Sequence, residues 1–176
     1  MRSYATFQKP DDKPTLYFER RVAHPVEAVW NAITESDELA QWFPCAVELE
    51  LRVGGMITFT FAQELPGGST TLQGRVTDLD PPRLFAFHWG EDHLRFELER
   101  VDGGAGCLLR FTVLLDAEDK AARDAAGWHV CLDDLERQLD GKSDATRTGA
   151  TSEWRGRYEE YTRRGLPTGA AIPGER

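Results

Sequence analysis

The sequence predicts an α+β domain in which a curled antiparallel sheet of about seven strands wraps around a long C-terminal helix. Three observations carry that expectation. From Ala46 to Leu115 the apolar residues recur with period two and are interrupted by Gly- and Pro-rich turns, the pattern of consecutive hairpins. From Asp116 to Gly141 the period changes: Ala121, Ala125, Trp128, Leu132, Leu135 and Leu139 follow at steps of four and three, on one stripe of a helix. The opposite face of that helix carries Arg123, Asp124, Asp133, Asp134 and Arg137, so only one side is apolar and it must be covered by a sheet.

Taken in order, a polar arm (residues 1–14) precedes TLYFERRV, Thr15 to Val22, a strand with Leu16, Phe18 and Val22 on one face. Arg20 shares that face and is expected to turn its charged end out to water near the strand terminus. Pro25 then opens a helix that buries Val26, Val29, Trp30 and Ile33, because proline is tolerated at the first helical position. A second short helix from about Ser36 buries Leu39, Trp42 and Phe43 and stops at Pro44.

The hairpins follow. Val47, Leu49 and Leu51 alternate with charged residues. Gly54-Gly55 turns the chain into a strand with Ile57, Phe59 and Phe61 on one face, and Pro66-Gly67-Gly68 leads to one with Leu72, Gly74 and Val76. Gly74 inside a strand marks a bulge, a bend or a close approach. After Pro81-Pro82 come an aromatic face of Phe85, Phe87 and Trp89, then Leu94, Phe96 and Leu98, then Leu109, Phe111, Val113 and Leu115. Asp116 is placed to cap the long helix and Gly141 to end it. A Gly/Ser/Thr-rich linker (142–152) precedes a short amphipathic helix (153–165) with Ser152 as its cap and a stripe of Trp154, Tyr158 and Tyr161; a tail (166–176) follows. That stripe is expected to dock on the domain or across a homodimer.

At 176 residues and 40% hydrophobic the chain supports one core, here residues 15–141. Net charge is −9 and the pI is near 5.0, with Lys and Arg scattered among acids, so nucleic acid and membranes are not expected partners. No stretch has the length of a signal peptide core or a membrane span, and a cytoplasmic location is expected. Cys45, Cys107 and Cys131 lie too far apart for a zinc or CxxC motif and read as buried thiols. There is no nucleophile elbow, phosphate loop or metal-ligand spacing, and neither a metal nor a cofactor is expected. The pairs Asp133-Asp134 and Glu159-Glu160 read as solvated helix faces.

The element order, together with PVEAVWNAI, ELAQWF, the Pro81-Pro82 turn before LFAFHW, and GWHVCLDDLERQLDG, resembles the SRPBCC or START-like superfamily of helix-grip proteins. Within it the chain is similar to the AHSA-like branch, named after the activator of heat-shock protein 90 ATPase. The resemblance implies a helix-grip fold and a cavity between sheet and C-terminal helix that in relatives holds lipids, polyketides or other apolar molecules. On that implication the ligand-binding candidates are Phe43, Phe59, Phe61, Leu72, Phe87, Trp89, Phe96, Trp128, His129 and Leu132. By aromatic periodicity alone such a face is better explained by solid core, since aromatic stripes are more often packing than binding.

The function expected is therefore binding of a small apolar or aromatic molecule, with no catalytic residue identified. One alternative is an enzyme of the polyketide cyclase or dehydratase kind, for which His129 and Arg20 are the only polar pair on offer. A second is an interaction module that contacts a chaperone ATPase through its outer surface.

Overall fold

The computed structural model describes residues 3–142 and 151–172. Its element order is β1 (Thr6–Gln8), β2 (Thr15–Val22), α1 (Val26–Thr34), α2 (Ser36–Leu39), β3 (Ala46–Leu49), β4 (Met56–Thr60), β5 (Thr71–Asp80), β6 (Leu84–Trp89), β7 (Asp92–Val101), β8 (Gly106–Leu114), α3 (Ala121–Leu139) and α4 (Ser152–Arg163). One open antiparallel sheet runs β1-β2-β8-β7-β6-β5-β4-β3, so the helix-grip architecture is present with eight strands rather than seven. The extra strand is β1, inside the segment read as a polar arm; it pairs Thr6 with Tyr17 and Gln8 with Thr15 at the sheet edge.

The period-two segments point as their alternation requires. Leu94, Phe96 and Leu98 of β7 and Leu109, Phe111 and Val113 of β8 are buried, and Phe96 stacks on Phe111 at 4.3 Å between ring centroids. Outward positions carry charge, as on Arg110, which pairs with both Glu99 and Glu19, so one face of the sheet is solvated and the other builds the core. The ladder between β5 and β6 slips between Val76 and Asp78. A β-carbon on Gly74 would stand 2.2 Å from the His88 carbonyl oxygen and 3.0 Å from the Phe59 ring, so glycine is required there by close approach of the neighbouring strand.

Both helical layers lie on the concave face. Trp30 of α1 meets Phe85, and Trp42 just after α2 meets Phe96 while its indole donates to the Ala32 carbonyl at 2.8 Å. Midway along α3, Trp128 packs edge-on against Phe111 at 5.3 Å. The start of α3 departs from expectation. A 3-10 turn, Glu118–Lys120, precedes it, and Asp116 bonds the Lys120 ammonium instead of capping helix amides. Its end is as expected, with Gly141 at φ +71 and Lys142 N–H donating to Arg137 O.

Helix α4 docks on α3 of its own chain, burying Trp154 and Tyr161 and leaving Tyr158 half-buried. Its cap is Thr151, whose hydroxyl accepts from Trp154 N–H, and not Ser152. Past α4 the tail returns over the start of α3: Leu166 is buried, and Ala122 N–H donates to Pro167 O. Most of the linker expected at 142–152 and the last residues of the tail, 173–176, lie outside the described residues.

Candidate functional site

The stripe of α3 read from sequence divides into three sectors. Leu132, Leu135, Ala121 and Ala125 face the sheet and are fully buried. On an adjoining side, Gly127, Cys131 and Asp134 border a cleft of about 940 Å³. Its other walls are the segment from Ala40 to Ala46, the end of β4 with Phe61, the β6–β7 turn at Trp89 to Asp92, and Trp154 of α4. Trp128 spans two sectors, touching Phe111 in the core and lining the cleft as well.

Of the ten residues proposed from sequence, Phe43, Phe61, Leu72, Trp89 and Trp128 are brought together along this cleft. Phe43 and Trp89 both lie within 6 Å of Trp128, and Phe61 lies 5.7 Å from Trp89. Phe59, Phe87 and Phe96 sit one layer deeper, beneath α1 and α2, around a void of only about 10 Å³. That space barely admits one water molecule, so these three rings are packed core. Leu132 packs in the sheet sector and borders neither space.

His129 is turned to the third sector, away from the cleft. Its Nδ1 is 2.8 Å from the Tyr161 hydroxyl, its ring lies 4.9 Å from Tyr4, and Asp133 is one turn on at 3.7 Å from its Nε2. The Tyr161 oxygen also accepts from Ala5 N–H at 2.9 Å, and burial pushes the Tyr161 hydroxyl up to about 12. Asp133 is fully buried and accepts from Arg20 at 2.8 Å and Arg157 at 3.2 Å, while Arg20 also donates to Glu136 at 2.9 Å.

Arg20 and Asp133 both depart from expectation. Arg20 does not reach water, since it is 3% exposed, and Asp133 is not on a solvated face. The physical reason is the cover supplied by α4 and the N-terminal arm, which turns the outer side of α3 into an interior. Arg20 and His129 do converge, but on a closed network that fastens β2, α3, α4 and residues 4–5 together.

At the mouth of the cleft a second polar group forms. Asp92, at the start of β7, is buried and accepts from Lys120 Nζ at 2.9 and 2.8 Å and from Asp116 N–H at 2.9 Å. Burial raises the Asp92 carboxyl despite the bonds to Lys120, whereas Asp116, more exposed, is held below its usual value by its hydrogen bond to Lys120. Lys120 itself is drawn down by burial but more strongly raised by Asp116 and Asp92. The arrangement pins the start of α3 to the β6–β7 turn. Sequence reading missed it because Asp92 sits in a turn and Lys120 in a charged helix start, both of which read as solvated.

Cys107 is buried as expected, but Cys45 and Cys131 are half-buried and line the cleft. Burial pushes the Cys45 thiol up to about 12 and raises Cys131 as well, so both are protonated at neutral pH and poorly nucleophilic. Among the described residues there is no cluster of His, Cys, Asp and Glu able to hold a metal and no helix long and apolar enough to cross a membrane.

Residues 23–140 match the sequence profile described as Activator of Hsp90 ATPase homolog 1-like protein. No curated protein matches the sequence. Among solved structures, a conserved protein of unknown function from Enterococcus faecalis is 23% identical, with a TM-score of 0.71 over 91% of this chain and 89% of its own. CalU16 from Micromonospora echinospora is 21% identical, with a TM-score of 0.69 over 91% of this chain and 92% of its own. An AHSA1-like protein from Aeromonas hydrophila is 21% identical, with a TM-score of 0.60 over 72% and 92%. At these identities the likeness is one of fold.

Proposed function

Starting from the fact that the chain belongs to the Activator of Hsp90 ATPase homolog 1-like family, we propose that it binds a small, largely apolar or aromatic molecule in the cleft between α3 and the open end of the sheet. The observation that carries this reading is Gly127. A glycine inside a helix costs about 1 kcal/mol relative to alanine. A β-carbon there would meet only Trp154 Nε1, at 3.8 Å, an ordinary contact. Packing therefore does not demand glycine at this place. What glycine does is leave the wall between Trp128 and Trp154 open, in a cleft whose volume suits a drug-sized ligand.

The lining supports binding rather than catalysis. Its thiols are protonated, and its most buried carboxylate, Asp92, is engaged by Lys120 and a backbone amide. The His129 and Arg20 pair that a cyclase-like reading would use faces the opposite side of α3. Native mass spectrometry of freshly purified protein tests the proposal. A co-purifying species of a few hundred daltons, lost on mild organic extraction and absent from a variant with the cleft filled, is the expected result; uptake of no apolar compound from a mixed library is the contrary one.

A further inference from the structure

The lining of the cleft is unbalanced in charge. Among the described residues four carboxylates gather at the β6–β7 turn and the start of α3, Glu91, Asp92, Asp116 and Asp124, against two cations, Lys120 and Arg123. Both cations are already engaged. Lys120 holds Asp92 and Asp116 and lies 3.8 Å from Asp124. Arg123 donates from Nε to Asp124 at 2.7 Å and from Nη1 to the Ala171 carbonyl at 3.1 Å. Among the described residues there, carboxylates exceed cations by two. Four tryptophans, Trp42, Trp89, Trp128 and Trp154, line the cleft from its several walls, and the negative face of an indole attracts a cation.

Resting on the reading of the cleft as a ligand site, we infer that its ligand is an amphipathic organic cation: a flat aromatic or apolar body bearing an ammonium or similar positive head. The body lies against the tryptophans and Phe43, and the head lies toward the β6–β7 turn and the start of α3, where the carboxylates gather. A fatty acid or other apolar anion meets the reverse situation. Its carboxylate finds Lys120 and Arg123 committed to Asp92, Asp116 and Asp124, and enters a field of like charge.

Three compounds sharing one naphthalene body test this: 2-naphthylmethylammonium, 2-naphthalenemethanol and 2-naphthoate, each titrated into the whole protein and followed by amide and indole N–H resonances. Trp30, which does not line the cleft, serves as the internal control. The expected result is shifts at Trp89, Trp128 and Trp154 with the ammonium bound at least ~10-fold more tightly than the carboxylate at low salt, the gap closing toward ~2-fold in 0.5 M NaCl as the charges are screened. Glu91→Gln combined with Asp124→Asn narrows the same gap; the salt titration reads the charge effect in unaltered protein should that variant not fold. If the alcohol shifts the cleft tryptophans and the ammonium binds no more tightly than the carboxylate, the inferred charge preference is overturned while the cleft remains a ligand site. If none of the three shifts them, the ligand site itself falls and the inference with it.

Discussion

Arg20 on β2 and Asp133 on α3 meet at 2.8 Å in the interior, where neither side chain has more than 3% of its surface exposed. Removing Asp133 leaves the buried Arg20 with only the partly exposed Glu136 to pair with, so Asp133→Ala is expected to destabilise by about 3 kcal/mol in urea unfolding. Replacing both, Arg20→Met with Asp133→Leu, should recover most of that loss, because Glu136 and Arg157 are partly exposed and can turn to water. A single variant that costs under about 1 kcal/mol contradicts the closed network.

Tyr161→Phe removes the acceptor for Ala5 N–H and the partner of His129 Nδ1. The expected cost is about 1–3 kcal/mol, with faster hydrogen exchange at Ala5. The pH dependence has a definite sign. The folded Tyr161 hydroxyl titrates at about 12 against an ordinary 10, so its contribution is intact below pH 10 and is lost as pH rises toward 12. The stability difference between wild type and Tyr161→Phe should therefore shrink over that interval. A difference that stays constant from pH 9 to 12 places the hydroxyl in water.

Trp128 packs against Phe111, Phe43 and Trp89 and borders the cleft along its remaining edge. Its truncation to alanine forfeits fewer contacts than in a filled core, so the expected loss is below the ~3–5 kcal/mol typical of buried aromatic-to-alanine changes. Affinity for an apolar probe should fall by about 1.5–3 kcal/mol. By contrast, Phe96→Ala, in the packed layer, should cost the full ~3–5 kcal/mol and leave probe affinity nearly unchanged. The reverse ranking of the two variants would reverse the assignment of cleft and core.

The periodicity of the chain made the sheet, the grip of α3 and the inward aromatics legible, because alternation and helical stripes report directly on which face is buried. It did not separate ligand wall from core. Phe59 and Phe61 share one strand face, yet only Phe61 reaches the cleft, since the division depends on where α2 and the β6–β7 turn leave space. Asp133 was illegible for a similar reason: an acid opposite the apolar stripe reads as solvated until α4 is known to cover it. Arg20 on an inward strand face was the available signal, because a charge pointing at a core requires a buried partner. Strand β1, three residues long, is too short to show a period at all.

Gly127 provides the most direct measurement. Gly127→Ala should add up to about 1 kcal/mol of stability, since alanine favours the helix and has room for its methyl. Gly127→Leu should fold equally well but place its side chain in the cleft between Trp128 and Trp154. The decisive comparison is saturable binding of a neutral naphthyl fluorophore to wild type, Gly127→Ala and Gly127→Leu, with thermal unfolding of each. The expected outcome is uptake by the first two and a loss of at least ~10-fold in the third without loss of stability, as a buried leucine side chain displaces the probe. Equal uptake by all three, or none by the wild type, would contradict the cleft as the site of binding.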